Sequence, residues 1–183
     1  MEIFFATSNK GKLKEAAVIL KEIGVTVKHF DFDYREIRSD SLDDVARDAV
    51  NQAYKRCKEP IFVEDAGFFI NAWNGFPGSY SASVYKKLGN EGILKLMQGA
   101  TDRSAYFESC IAYRDTNGVT VSHGKCHGHI GEEIRGKEGF GFDPIFIPDG
   151  EYQTFAESIT LKNKLSHRYN SLLQFSKSIK LRA

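Results

Sequence analysis

Residues 1–20 read MEIFFATSNKGKLKEAAVIL. The apolar run Ile3-Phe4-Phe5-Ala6 has the make-up of a buried strand. It passes through Thr7-Ser8-Asn9-Lys10-Gly11-Lys12 into a stretch where Leu13, Ala16, Ala17, Leu20 and Ile23 recur at helical spacing. Strand, polar turn and helix in that order begin an α/β fold. The turn is not a P-loop, which needs two glycines at fixed spacing and a Ser or Thr after its lysine; here Leu13 follows Lys12. Outward-pointing N–H groups and the macrodipole make a helix N-terminus positive, so Lys10 and Lys12 are locally unfavourable there. Either they are solvated lysines on a capped turn, or an anion joins them.

The alternation continues outward from this unit. Gly24 stops the helix, Val25-Thr26-Val27 begins a second strand, and a polar stretch DFDYREIRSD follows. Ser41 reads as the N-cap of a helix over 42–57, with Asp43 and Asp44 in its first turn. After Pro60, Ile61-Phe62-Val63 predicts a short strand leading into a turn at Glu64-Asp65-Ala66-Gly67. A glycine-rich loop, NGFPGSYSAS, precedes a helix to about Gln98. Residues 103–115 then alternate, with Ala105, Phe107, Ser109, Ile111 and Tyr113 on one face. Asn117-Gly118 marks a hairpin, and Val119-Thr120-Val121 returns as its second strand. GFGFDPIFIPDG carries a strand at Ile145-Phe146-Ile147, and a single helix is expected over about 161–180. The expectation is one domain over 1–183, an α/β fold. Its mixed, twisted sheet carries long antiparallel hairpin strands and is flanked by helices, with two lobes around a central cleft.

Composition excludes several classes. The chain is 42% hydrophobic, ample for a core, and a net charge of +1 gives no field for nucleic acid or membrane. Cys57, Cys110 and Cys126 are odd in number and not in CxxC spacing, which predicts reduced thiols and a cytoplasmic location. No charged-then-apolar leader opens the chain, and no apolar run approaches the roughly 18 residues of a membrane span.

Four polar constellations stand out. The first is the opening turn. The second is Glu64-Asp65 at a strand end, the edge where such sheets place ligands, with Glu36 after the second strand able to add a carboxylate. Adjacent acids on an extended chain point to opposite sides, and a hard cation such as Mg²⁺ takes oxygen ligands. The third is Gly139-Phe140-Gly141-Phe142-Asp143-Pro144, where rings between glycines could stack on a flat ligand and Asp143 could accept from a ring N–H. The fourth is the cluster of Lys162, His167 and Arg168 at the start of the last helix. Each has a plainer reading: a capped turn, two surface acids, an aromatic turn, a solvated helix start.

Together they are the parts of a nucleoside triphosphate site, and here the resemblance becomes specific. TSNKGK, VEDAG, GFPGSYSA, GFGFDP and SHR stand in the order, and at roughly the spacing, of the inosine/xanthosine triphosphate pyrophosphatase family, the Ham1-like enzymes that cleanse the nucleotide pool. The chain resembles that family from residue 1 to about 175. The resemblance implies that Thr7, Ser8, Asn9, Lys10, Gly11 and Lys12 form the triphosphate turn, with Asn9 and Lys12 the principal contacts. It implies a metal-binding Glu36, an Asp65 that is both catalytic base and metal ligand, and Glu64 beside it. Phe140, Gly141, Phe142 and Asp143 match the base-binding segment, Lys162 the substrate lysine, and His167 with Arg168 the pair that reads the purine. Mg²⁺, cleavage between the α- and β-phosphates of aberrant purine nucleoside triphosphates (ITP, dITP, XTP), and a homodimer are likewise implied. Asp143 would accept from N1–H of a 6-oxopurine and Arg168 would donate to O6; adenine reverses both groups.

Two positions depart from the pattern. Ala66 stands where many members have a substrate-contacting Ser, and Gln52 where bacterial members tend to carry a lysine, with Lys55 one turn further on. Three rival readings remain. Ala66 nudges toward a non-hydrolytic purine-nucleotide sensor with the same pocket. His123, Cys126, His127 and His129 could form a metal or redox site, although the usual ligand spacing is lacking. The basic tail KSIKLRA could contact nucleic acid, although cations belong in a helix's last turn anyway.

Overall fold

The structure, a computed structural model, describes residues 1–180, so the last three residues of KSIKLRA lie outside it. Strand β1 (Glu2–Ala6) buries Ile3, Phe5 and Ala6, then releases the chain into helix α1 (Lys10–Glu22). Asn9 is the N-cap: its Oδ1 accepts from the N–H groups of Gly11 and Lys12 at 2.9 and 3.1 Å. Strand β2 (Thr26–Phe30) pairs parallel with β1 in the register Glu2↔Thr26. Helix α2 (Leu42–Cys57) starts where Ser41 Oγ accepts from Asp44 N–H at 3.2 Å.

The remaining strands and α-helices are β3 (Ile61–Ile70), β4 (Pro77–Gly78), α3 (Ser81–Leu96), β5 (Ser104–Asp115), β6 (Gly118–Ile130), β7 (Phe146–Pro148), α4 (Ile159–Leu165) and α5 (His167–Lys180), with single 3-10 turns at Asn71–Trp73 and Asp143–Ile145. The strand order is β2-β1-β3-β5-β6-β7, with β4 on β3. β1 pairs parallel with both β2 and β3, while β3–β4 and β6–β7 are antiparallel. This is the mixed, helix-flanked sheet that the alternating pattern predicts.

Three expected boundaries move. β3 does not stop at Val63 but runs on to Ile70, so Glu64-Asp65-Ala66-Gly67 is strand rather than turn. Phe68 and Ile70 bury and carry the strand through. Gly67 marks a close backbone approach, since a Cβ there would stand 2.6 Å from the Gly78 carbonyl oxygen. The returning hairpin strand β6 extends to Ile130, with Ser122, Gly124, Cys126, Gly128 and Ile130 buried and the residues between them exposed. The final helix is two helices, because Ser166 takes extended backbone (φ −65°, ψ 157°).

The chain divides into two compact units. Unit 1 comprises Met1–Asp65, Ser109–Gly124 and the chain from Arg168 onward; unit 2 comprises Ala66–Glu108 and Lys125–His167. Unit 1 is centred on Ile3, Phe5, Leu20, Phe62, Ile111, Leu172 and Phe175, with Phe5 and Phe62 stacked at 4.2 Å. Unit 2 is centred on an aromatic cluster, in which Phe68 meets Phe107 at 4.6 Å and Phe146 edge-on at 5.9 Å.

Candidate active site

In unit 1 the opening turn is held from both sides. Thr7 Oγ accepts from Asn9 N–H at 3.1 Å, and His29 Nε2 donates to the Thr7 carbonyl at 2.8 Å. Thr7 is buried, whereas Ser8, Asn9 and Lys10 are exposed, and Gly11 and Lys12 are half-buried. Lys12 turns back across the sheet edge: Nζ donates to the Glu64 carbonyl at 2.9 Å and lies 3.0 Å from Glu64 Oε2.

Glu64 is the centre of a buried charge cluster. Its Oε1 accepts from Ser109 Oγ at 2.7 Å and from Arg168 at 3.1 Å. Arg168 in turn reaches Glu15 Oε2 at 2.5 Å, and Ser109 meets Ser171 at 2.9 Å. Two cations thus face two carboxylates, and Glu15, Glu64 and Arg168 are all under 10% exposed. Burial disfavours the Arg168 charge, but Glu64 and Glu15 outweigh it and hold its pKa above the ordinary value. The guanidinium that the resemblance assigns to the purine is therefore bonded to two carboxylates. Glu15 was not among the expected residues. Its signal was an acid buried on α1 together with Ala16, Ile19 and Leu20.

Asp65 points to the other face of β3, as adjacent strand residues must, and is half-buried. Around it gathers a negative field. The Tyr34 phenol is pushed above its ordinary pKa by burial, then by Asp65, Glu36, Glu64 and Asp33. Asp65 and Glu36 thus act on one phenol despite coming from a strand and an exposed loop. That loop is braced from α2: Gln52 Nε2 donates to the Arg35 carbonyl at 2.9 Å, and its Oε1 accepts from Arg35 N–H at 3.3 Å. A cavity of about 740 Å³ is lined there by Glu36, Arg38, Asp48 and Gln52 among others. Gln52, standing where a lysine was expected, is a loop anchor, and Lys55 is exposed in the last turn of α2. The charges of these carboxylates act on the one phenol, and carboxylate oxygen is the ligand type that a hard divalent cation such as Mg²⁺ takes.

In unit 2 the aromatic-glycine segment splits its roles. Phe142 is not an accessible ring but part of the core, 3% exposed and packed 5.0 Å from Phe68. Phe140 is 36% exposed, and Lys162 Nζ sits 4.1 Å over its ring centroid. The same ammonium donates to Asp143 Oδ2 at 2.6 Å, an oxygen that also accepts from Phe140 N–H at 2.7 Å. Gly139 has a positive φ of 72°, and a Cβ there would lie 2.2 Å from Asp143 Oδ2, so glycine is required beside that carboxylate. The Gly141 carbonyl accepts from Asn90 Nδ2 at 3.1 Å. His167 is buried and stacks on Phe107 at 4.7 Å. Ala66, half-buried on β3, offers no side-chain hydroxyl. His123, His127 and His129 point out of β6, while Cys126 points inward, its thiol pushed up to about 12 by burial. Those four do not converge.

These two sets of residues can be set beside known proteins. A model of the Ham1 family matches residues 3–178. The dITP/XTP pyrophosphatase of Methanopyrus kandleri is 48% identical over 178 residues, 96% of this chain and 95% of that protein. The dITP/XTP pyrophosphatase of Thermococcus kodakarensis is 45% identical over 181 residues, 98% of each. Among solved structures, the Ham1 protein of Staphylococcus aureus superposes with a TM-score of 0.85 at 28% identity, covering 100% of both chains. A HAM1 protein from Coxiella burnetii gives 0.84 at 29% identity, covering 99% of both. Matched in sequence along nearly its whole length and in fold throughout, the chain belongs to the Ham1 family.

Proposed function

We propose that this protein hydrolyses the aberrant purine nucleoside triphosphates ITP, dITP and XTP to the monophosphate and pyrophosphate, clearing them from the nucleotide pool. The observation that carries the reading is the tie between Lys12, in the first turn of α1, and Glu64, the neighbour of Asp65 on β3. A helix N-terminus with its lysine held against the strand residue before Asp65 supports phosphate binding next to a carboxylate able to handle water. The relatives named dITP/XTP pyrophosphatase support the same chemistry.

In this reading Thr7 through Lys12 bind the triphosphate, and Asp65 orients and deprotonates a water for in-line attack at the α-phosphorus. Pyrophosphate leaves against the charge of Lys12, Lys162 and the N–H groups of α1. Glu36 and Asp65 would hold Mg²⁺, with Glu64 behind them; once bound, Mg²⁺ draws phosphate oxygens together and offsets transition-state charge. Phe140, Gly141 and Asp143 take the base, Phe142 backs them from the core, and His167 completes the set. Asp143, held by Lys162, accepts from N1–H of a 6-oxopurine; adenine has no N1–H and leaves the acceptor unmatched. Reading O6 would cost Arg168 a carboxylate partner, so we assign it the task of holding Glu15 and Glu64. The unit of function is the whole chain, working in the cytoplasm as a homodimer and without nucleic acid. Among the described residues no helix is long and apolar enough to cross a membrane.

The test is pyrophosphate release from a panel of purified nucleoside triphosphates, with and without Mg²⁺. dITP, ITP and XTP are each expected to release pyrophosphate far above ATP, with release abolished by chelation. Tight nucleotide binding with no pyrophosphate formed would replace the enzyme with a sensor.

A further inference from the structure

Within unit 1, three side chains of different chemistry converge from three elements. They are Asp43 in the first turn of α2, Cys110 on β5 and His123 on β6. One ligand atom from each lies within 4.8 Å of the other two. Asp43 divides its carboxylate: Arg47 Nε donates to Oδ1, while Oδ2 faces His123 Nε2 at 3.4 Å. Cys110 is fully buried and closes the inner side, whereas the side chains of Asp43 and His123 are 33% and 45% exposed and leave the outer side open.

The donor set decides which ligand suits it. Thiolate, imidazole and carboxylate together are soft-to-borderline, unlike the all-oxygen set around Tyr34. With Zn–N of about 2.0 Å and Zn–S of about 2.3 Å, tetrahedral donors stand roughly 3.3–3.8 Å apart. From a spacing of up to 4.8 Å the donors must draw together by roughly 1 Å to reach that size. We propose that Asp43, Cys110 and His123 form a binding site for a zinc-class divalent cation, with a fourth position open to water. Binding expels the Cys110 thiol proton to solvent. Burial, then the charges of Asp43, Asp65 and Glu64, keeps that proton on the sulfur until a cation arrives. The proposal does not rest on the proposed hydrolysis, although the charges of Asp65 and Glu64 reach Cys110, and its test does not use activity.

The full chain is titrated with Co²⁺ as a spectroscopic stand-in for zinc, in excess Mg²⁺. One equivalent is expected to bind, giving a thiolate-to-cobalt charge-transfer band that Zn²⁺ removes and Mg²⁺ does not, with one proton released. Cys110→Ser is expected to lose the band, and His123→Gln to weaken binding about 10-fold or more. His123 is exposed on β6, so that variant keeps its fold and decides the matter if the buried serine does not fold. Absence of the band, displacement by Mg²⁺, or unchanged affinity in His123→Gln overturns the site.

Discussion

Lys12 and Glu64 stand 52 positions apart and meet twice, the ammonium touching both the backbone carbonyl and the carboxylate of Glu64. The contact fixes the first turn of α1 against the strand residue before Asp65. Because Lys12 is 18% exposed while Glu64 is 1% exposed in its side chain, the lysine is the partner able to swing toward an incoming anion.

Lys12→Ala should therefore damage turnover more than folding. Glu64 keeps Arg168 and Ser109 in that variant, so the melting temperature should fall by only a few degrees, whereas kcat/KM should fall about 10²-fold or more. Asp65→Asn should remove activity with an unchanged melting temperature. Steady-state kinetics beside calorimetry read both.

Arg168→Met should act the other way round. It takes the guanidinium away from Glu15 and Glu64 in a buried site, where Glu64 keeps only Lys12 and Ser109 of the partners described above, and breaking a buried pair costs about 3–5 kcal/mol. Adding Glu15→Gln should restore part of the loss by removing one of the two buried carboxylate charges. Urea unfolding of the single and double variants measures the coupling.

Asp143→Asn should erode choice of base. The amide loses the charge that Lys162 neutralises, and either of its ends can face the purine. The kcat/KM ratio of dITP over dATP is expected to fall about tenfold or more, with Phe140 and Lys162 still in place. An unchanged ratio would move base recognition elsewhere.

The buried thiols predict an alkaline limb. Cys126 is raised from an ordinary 9.0 to about 12 by burial and then by Asp149. The native state therefore keeps a proton that the unfolded chain loses near pH 9. A group raised in the folded state contributes fully below its unfolded pKa and loses that contribution as pH rises toward the folded value. Unfolding free energy should therefore decline between about pH 9 and 12, less so in Cys126→Ala. In the native protein at pH 8, a thiol reagent should spare Cys110 and Cys126.

Local patterns made much of this molecule legible. The strand–turn–helix of residues 1–22, the Ser41 cap and the Asn117-Gly118 hairpin all follow from spacing and capping chemistry within a few residues. Glu64 to Gly67 misled because polar residues and a glycine look like a turn; they are strand because β3 runs on through them to Phe68 and Phe69, which pair with β4, a partner no local pattern encodes. Phe142 looked open between glycines but is claimed by Phe68, far away in sequence. Arg168 looked like a reader of substrate, yet its partners lie 104 and 153 residues earlier. Burial of a charge is a tertiary fact, and only the fold reveals which charges neutralise it.

Those separations bear on how the protein is made. Unit 1 draws on the start, the middle and the closing helix of the chain, and α5 supplies Leu172, Phe175 and Ile179 to its core. While a ribosome is still translating, Glu15 and Glu64 have no guanidinium and Phe62 lacks the Phe175 ring. The first 65 residues must then wait, unfinished and open to chaperones, until residues through Ile179 have emerged.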